Sequence, residues 1–327
     1  MALTTADYQA LTDDLQEVFN EASMTNVASW KGKDVFQVKD TDRKTYDYLG
    51  LHGVGGFARV AEGGQLPVVS SSQGDTATFT QKRHGSRVSI TKDMRMFDLH
   101  DQMTEIVRSE VDYAFSQIDQ SMADVILNGF TGTSYVDIYG ETVTNLSPDG
   151  VVLFSASHTN NISSDTFRNL IRNSAGTANP GLARDAIVTA RKDAKTYKDP
   201  NGTVRPCNLD TLIVTPTNED LAERLLFSSG VQGTPNVDIN PLKGKVSGLQ
   251  VWERLETSGQ GTDTSAYWFM ADSSKVGKSL QGIFAQKPMM HDATNVHDSM
   301  NWEYPVDAYY TLGIGFPRYI FGSIGSN

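Results

Sequence analysis

The chain has 327 residues, 39% of them hydrophobic and 20% charged, with 28 glycines and a formal net charge of −11. That length holds a sizeable core and about two domains; no apolar run approaches the roughly 18–20 residues of a membrane span, and the acidic start MALTTADYQALTDDLQEVF lacks the layout of a secretory signal. A single cysteine, Cys207, excludes an internal disulfide framework and points to cytosolic synthesis, while the negative balance excludes the basic stripe of a sequence-reading DNA binder. It does not exclude a container for DNA, whose acidic wall repels phosphates rather than holding them.

In chain order, residues 5–22 place Tyr8, Leu11, Leu15, Val18, Phe19 and Ala22 on one helical face, with Asp13, Asp14, Glu17 and Glu21 mostly elsewhere. Residues 23–50 show no sustained period and read as an extended arm. In 53–95, glycines cluster at 53–56 and 63–64, SSSQGD (70–75) is a polar turn, and the flanks alternate. Ala77, Phe79 and Gln81 oppose Thr76, Thr78 and Thr80; Val88 and Ile90 oppose Ser89 and Thr91. The reading is a long β-hairpin more polar than a core hairpin, of the kind buried on a neighbouring molecule.

The strongest helix signal covers 98–128, where Leu99, Met103, Ile106, Val107, Val111, Ala114, Ile118, Met122, Val125 and Ile126 recur at steps of three and four. Asp98 suits its N-cap, Asn128-Gly129 its stop, and the rod is roughly 45 Å long. Short strands are expected through 130–158, then helices at about 164–173 and 181–197. Next come a buried strand LDTLIVTP (209–216), a helix from Asn218 to Phe227 capped by Thr217, strands at 248–255 and 266–271, and a β-rich end at 283–324.

Chemistry-bearing patterns dissolve on inspection. Ser155, Ser157 and His158 sit within four residues, but Ser155 lies between Phe154 and Ala156 without the flanking glycines of a nucleophile elbow. DSSKVGKS (272–279) ends like a phosphate loop, yet Asp272 stands where that motif needs glycine. HDATNVHD (291–298) lacks metal-ligand spacing, and GVGGF (53–57) follows no buried strand. No catalytic, cofactor-binding or metal residue is expected, and no cofactor. Lys82, Arg83, His84, Arg87, Lys92 and Arg95 concentrate base in an acidic chain. Alternation puts Arg83 and Arg87 on one face if the strand stays regular through Gly85. We read Lys82, Arg83 and Arg87 as intersubunit contacts, paired with Asp112, Asp119 and Asp124 of a neighbour's long helix.

The stretch LFSASHTNNISSDTFRNLI, followed by GLARDAIVTARKDAKTYKDPNGTVRPCNLDTLIVTPTNEDLAERLL, resembles the part of tailed-bacteriophage major capsid proteins where an F-x-x-x-H-x-N strand end precedes a helix, a D-x-x-G turn and an apolar strand. Asp199, Gly202 and Pro206 hold the corresponding places, and within that family the stretch resembles Mu-like head subunits. The resemblance is most specific over about 150–256. It implies an α+β, Hong Kong 97-type fold: an N-terminal arm (1–52), an extended hairpin or E-loop (53–97), a peripheral domain with a spine helix (98–149), an axial domain (150–279) and a return to the peripheral domain (280–327). It also implies hexamers and pentamers forming an icosahedral virion shell around double-stranded DNA, with a separate scaffolding protein, a portal and a decoration protein as partners. No membrane is involved, and synthesis is in the host cytoplasm. Lys82 would be the donor of any isopeptide cross-link. An encapsulin-like nanocompartment shell is the alternative, and a serine hydrolase on Ser155 and His158 the rival of a different class.

Overall fold

The computed structural model describes residues 5–52, 59–66, 68, 72–97, 102–159, 166–198, 203–230, 240–296 and 301–326. In order these form α1 (Thr5–Ser29), β1 (Gln37–Asp40), β2 (Thr45–His52), β3 (Ser72–Thr80), β4 (Lys82–Ile90), α2 (Lys92–Phe97) and α3 (Gln102–Leu127). Then come β5 (Ser134–Val136), β6 (Thr142–Thr144), β7 (His158–Thr159), β8 (Thr166–Phe167), α4 (Arg184–Lys195), β9 (Thr211–Val214) and α5 (Glu219–Phe227). The chain ends with β10 (Gly248–Val251), β11 (Trp268–Ala271), β12 (Leu280–Met290), β13 (Thr294–Val296), β14 (Asn301–Ile314) and β15 (Ile320–Ser323).

Helix α3 is the spine. Its 26 residues rise about 39 Å, and the apolar positions spaced by three and four serve two cores in succession. Met103, Val107, Val111 and Phe115 pack with Leu15 and Phe19 of α1, Val88 and Ile90 of β4, and Tyr304 and Val306 of β14. One turn on, Ile118, Met122, Val125 and Ile126 pack with Trp30, Phe36, Phe154, Trp252, Phe269 and Phe284. Asp98, the expected N-cap, lies outside the described residues. The helix ends where Gly129 donates to Ile126 O, with the Asn128 side chain bonded back to Asp124 O.

A third core fills the space between α4, α5 and a four-stranded sheet ordered β10–β9–β11–β15. Strands β9 and β11 carry apolar residues without alternation because both sheet faces are covered. Leu212, Val214, Trp268 and Met270 face α4 and α5, whereas Ile213, Phe269 and Ala271 join the core of the spine helix. The other large sheet runs β1–β12–β14, with β13 alongside one end of β14 and β4 along its far edge. β1 lies parallel to β12, and β12–β14 is antiparallel with register shifts on either side of Gln286.

Four sequence expectations are corrected. The hairpin is β2 with β3, spanning 45–80, not 53–95: Tyr46 pairs with Phe79 and Tyr48 with Ala77, while β4 turns away after Gln81 and pairs along β14. Val88 and Ile90 drive that choice, because their apolar side chains find the home core between α1 and α3. Second, helix α1 of the N-terminal segment packs against the chain's own core instead of standing off as an extended arm. Leu15 and Phe19 are buried on the chain's own α3, each such burial contributing ~1.5–3 kcal/mol. Third, the described part of the segment expected as a helix at 164–173, Thr166 to Asn173, is extended rather than helical. Phe167 and Ile171 imitate helical spacing, but Asn169 between them is a buried polar hub whose amide donates to Leu153 O and Pro317 O. Thr217, the expected cap, sits inside a tight turn (Pro216–Asn218) and bonds Glu256 instead.

Candidate assembly surfaces

The basic strand β4 keeps the regularity expected of it. Its register along β14 runs without a shift from Lys82 opposite Tyr310 to Ile90 opposite Trp302. Gly85 permits the close approach, since a Cβ there would stand 2.6 Å from Val306 O. Arg83 and Arg87 therefore share a face, but their carboxylates come from the same chain. Arg83 Nε donates to Asp307 Oδ2 at 2.8 Å, and Arg87 Nη1 to Glu303 Oε2 at 2.8 Å. Lys82 is exposed at the start of β4. It lies outside the hairpin, and residues 45–80 contain no lysine, so the expected isopeptide donor is not in the loop that would carry it.

Asp307 is the centre of that face. Besides Arg83 it accepts hydrogen bonds from Gln286 Nε2 at 2.7 Å and faces His291 Nε2 at 2.7 Å. Burial pushes its pKa up, but the bonds from His291, Arg83 and Gln286 outweigh burial and hold it below the usual carboxylate value. Beside it, His84 stacks between Tyr139 and Tyr310 with centroids 4.6 and 4.3 Å away, and burial lowers its pKa.

The three spine aspartates also serve their own chain. Asp112 is exposed and accepts from Asn26 Nδ2 of α1 at 2.6 Å. Asp119 accepts from Gly32 N at 2.8 Å and from Trp252 Nε1 at 3.1 Å, with Arg254 Nε 4.0 Å away. It thus fastens the turn after α1 and the loop after β10 to the spine. Asp124, 2% exposed, accepts from Gly259 N at 2.7 Å and Gln120 Nε2 at 3.2 Å. Burial raises the pKa of both Asp119 and Asp124 against these hydrogen bonds. The sequence placed them on a helix correctly; what it did not show is that their turns of the helix face inward.

The serine–histidine stretch is a structural lock. His158 is fully buried, with Nδ1 2.7 Å from Asp149 Oδ2 and Nε2 3.1 Å from both Leu153 O and Asn169 Oδ1. Its ring bonds neither serine; Ser155 Oγ instead accepts from Ser157 N at 3.2 Å. In the DSSKVGKS turn, Asp272 is buried and accepts from Asn208 N at 3.1 Å and Ser274 N at 3.2 Å, tying the turn to the segment that leads into β9. Cys207 beside it is buried, and burial first, then Asp272, pushes its thiol up to about 12. GVGGF, and His297 and Asp298 of the His-Asp stretch, lie outside the described residues. Among those described, no three His, Cys, Asp or Glu side chains are grouped to hold a metal, and no helix is long and apolar enough to cross a membrane.

What the chain leaves open is the hairpin. Among the described residues β2 and β3 pair only with each other, and their inner end touches the body through Phe79 against Gly313, Tyr48 against Phe316, whose ring centroids are 5.8 Å apart, and Tyr46, whose hydroxyl accepts from Lys39 Nζ at 3.3 Å. Farther out, Leu49 is exposed, and Leu66 and Val68 are 81% and 98% exposed.

This architecture is that of a viral shell subunit. The capsid chain of an empty GTA particle matches with TM-score 0.56 at 10% identity, covering 90% of this chain and 89% of that one. The capsid of Ralstonia phage GP4 gives 0.54 at 13% identity, covering 90% and 88%, and the mature capsid of bacteriophage PhiM1 gives 0.51 at 12%, covering 90% and 86%. The fold shared with them is the Hong Kong 97-type α+β fold. By its match to the phage capsid protein model over residues 74–321, the chain belongs to that family, and it is a structural protein of the virion capsid. No curated protein matches the sequence.

Proposed function

We propose that the chain is the repeating subunit of an icosahedral head, assembling into hexamers and pentamers that enclose double-stranded DNA. The observation that carries the reading is the β2–β3 hairpin, which stands off its own body with Leu49, Leu66 and Val68 uncovered. A neighbouring copy supplies the missing surface, and identical contacts repeated around a closed shell add through effective concentration. Membership of the phage capsid family supports this reading.

In it, the α4–α5 core with its four-stranded sheet is the axial domain. The spine helix with α1 and the β1–β12–β14–β4 sheet is the peripheral domain, and residues 45–80 are the E-loop. Synthesis occurs in the host cytoplasm, with a scaffolding protein, a portal and a decoration protein as partners. The net charge of −11 suits a wall that keeps packaged DNA mobile rather than bound.

Co-expression with a scaffolding protein, followed by velocity sedimentation, tests the proposal. Particles of shell size are expected from the intact chain, and only subunits or amorphous aggregate when residues 45–80 are replaced by a short turn. A compact monomer from the intact chain under those conditions would overturn it.

A further inference from the structure

The two helices of the third core sit over opposite ends of its sheet. α5 packs against β9 and β10. α4 belongs to the other end: Pro180 O, just before it, accepts from Trp268 Nε1 of β11 at 3.0 Å and from Ser323 Oγ of β15 at 2.7 Å. Tyr197, just past it, stacks on Phe321 of β15. The exposed charges of the two helices are opposite in sign. On α4, Arg184, Val188 and Lys195 share an exposed stripe at i, i+4 and i+11, with exposed Lys192 beside it. Of the acids of α4, Asp193 is gripped by the Arg172 fork at 2.9 and 3.0 Å, and Asp185 accepts from Ser174 N at 2.7 Å. The half-buried Arg191 is in the field of Asp210. On α5, Glu219, Glu223 and Phe227 form an exposed stripe at i, i+4 and i+8, while Asp220 is paired with Arg224. Arg184, Lys192, Lys195, Glu219 and Glu223 have no ion-pair or hydrogen-bond partner among the described residues.

Helix energetics alone do not account for this layout. Lys192 and Lys195 suit the negative end of the α4 dipole, but Arg184 opens the helix, where a cation is disfavoured. We infer that α4 of one copy docks on α5 of a second copy, with Arg184 and Lys195 against Glu219 and Glu223, and Val188 against Phe227. The inference rests on the shell reading and names the surfaces by which axial domains meet in a ring. The signs bear on the symmetry. A two-fold contact through either helix sets like charge against like. A contact of α4 on α5, from opposite ends of the sheet, leaves each copy one free stripe for the next and closes into a ring. The stripes also match in length: Arg184 to Lys195 rises about 16 Å and Glu219 to Phe227 about 12 Å, a difference that long cationic side chains span. Each exposed pair contributes little by itself, and a ring repeats it at every interface.

The test is particle yield in velocity sedimentation, from full-length chains co-expressed with a scaffolding protein, with thermal unfolding of each unassembled subunit as the folding control. Two charge-reversed chains are compared with the parent: Arg184→Glu with Lys195→Glu, and Glu219→Lys with Glu223→Lys. Each should lower the yield about tenfold or more through like-charge repulsion, while the unfolding midpoint stays that of the parent. Raising the salt concentration should return part of the yield by screening that repulsion. The chain carrying all four substitutions restores opposite signs across the contact and should recover most of the parental yield. Such recovery is not expected of a merely destabilised subunit, nor of a helix that serves a scaffolding or decoration protein. Normal yield from either reversed chain, or no recovery in the chain with all four substitutions, would overturn this contact and leave the shell reading standing. A parent chain that forms no particle would overturn both.

Discussion

Replacing Asp119 by alanine separates a subunit's internal fastening from a contact between subunits. The carboxylate holds Gly32 N and Trp252 Nε1, both in buried residues, at 2.8 and 3.1 Å. Truncation leaves two donors without an acceptor, at ~1–3 kcal/mol each. Removing a desolvated charge returns part of that, since burial already raises the carboxyl's pKa. The net loss is therefore about 2–4 kcal/mol. Urea unfolding of the unassembled subunit, followed by tryptophan fluorescence, measures it directly. Trp252→Phe removes one donor in advance, so Asp119→Ala should cost less in that background, with a coupling of ~1 kcal/mol or more. Asp112→Ala, on the same helix but exposed, should stay within ~0.5 kcal/mol. A subunit that loses under ~0.5 kcal/mol with Asp119→Ala, yet fails to assemble, would refute the reasoning and restore Asp119 to the intersubunit surface.

Three further outcomes are expected. Asp307, whose folded pKa is depressed, stabilises the fold above its unfolded value of 3.8, and that contribution disappears as pH falls through the lower folded value; Asp307→Asn should be less stable at neutral pH and show a shallower acid transition. For His84 the unfolded chain takes up a proton first as pH falls below 6.5, so stability declines from that point downward; His84→Phe, which keeps the stack between Tyr139 and Tyr310, should flatten thermal midpoints over about pH 5–7, and an unchanged slope would contradict the burial argument, which weighs Asp137 and Lys82 as minor neighbours. Leu66→Ser with Val68→Ser should leave subunit unfolding within ~0.5 kcal/mol of the parent while lowering particle yield in sedimentation, whereas loss of subunit stability would place those residues in the home core.

Local order was readable where one element meets one continuous apolar surface. The spine helix announced itself because Met103 to Ile126 recur at steps of three and four, and β9 and β11 because both sheet faces are covered. Pairing was not readable where two partners look alike. β3 and β4 both alternate and are separated by Gln81 alone, so a hairpin between them was the natural inference, although β4 belongs beside β14 more than 200 residues later. The same distance hid the partners of Arg83 and Arg87: their common face was legible, and Asp307 and Glu303 were not. Asn169 carried no signal at all, since a buried amide hub has no periodicity. His158 looked like chemistry only until Asp149 and Asn169 were seen to occupy its ring nitrogens.

Cryo-electron microscopy of particles purified from cells expressing the chain with its scaffolding partner tests the central claim most directly. The account predicts closed shells of five- and six-membered rings, with the strands of residues 45–80 lying across an adjacent copy and covering Leu49. Shells in which that hairpin folds back on its own subunit, or a preparation holding only monomers, would contradict it.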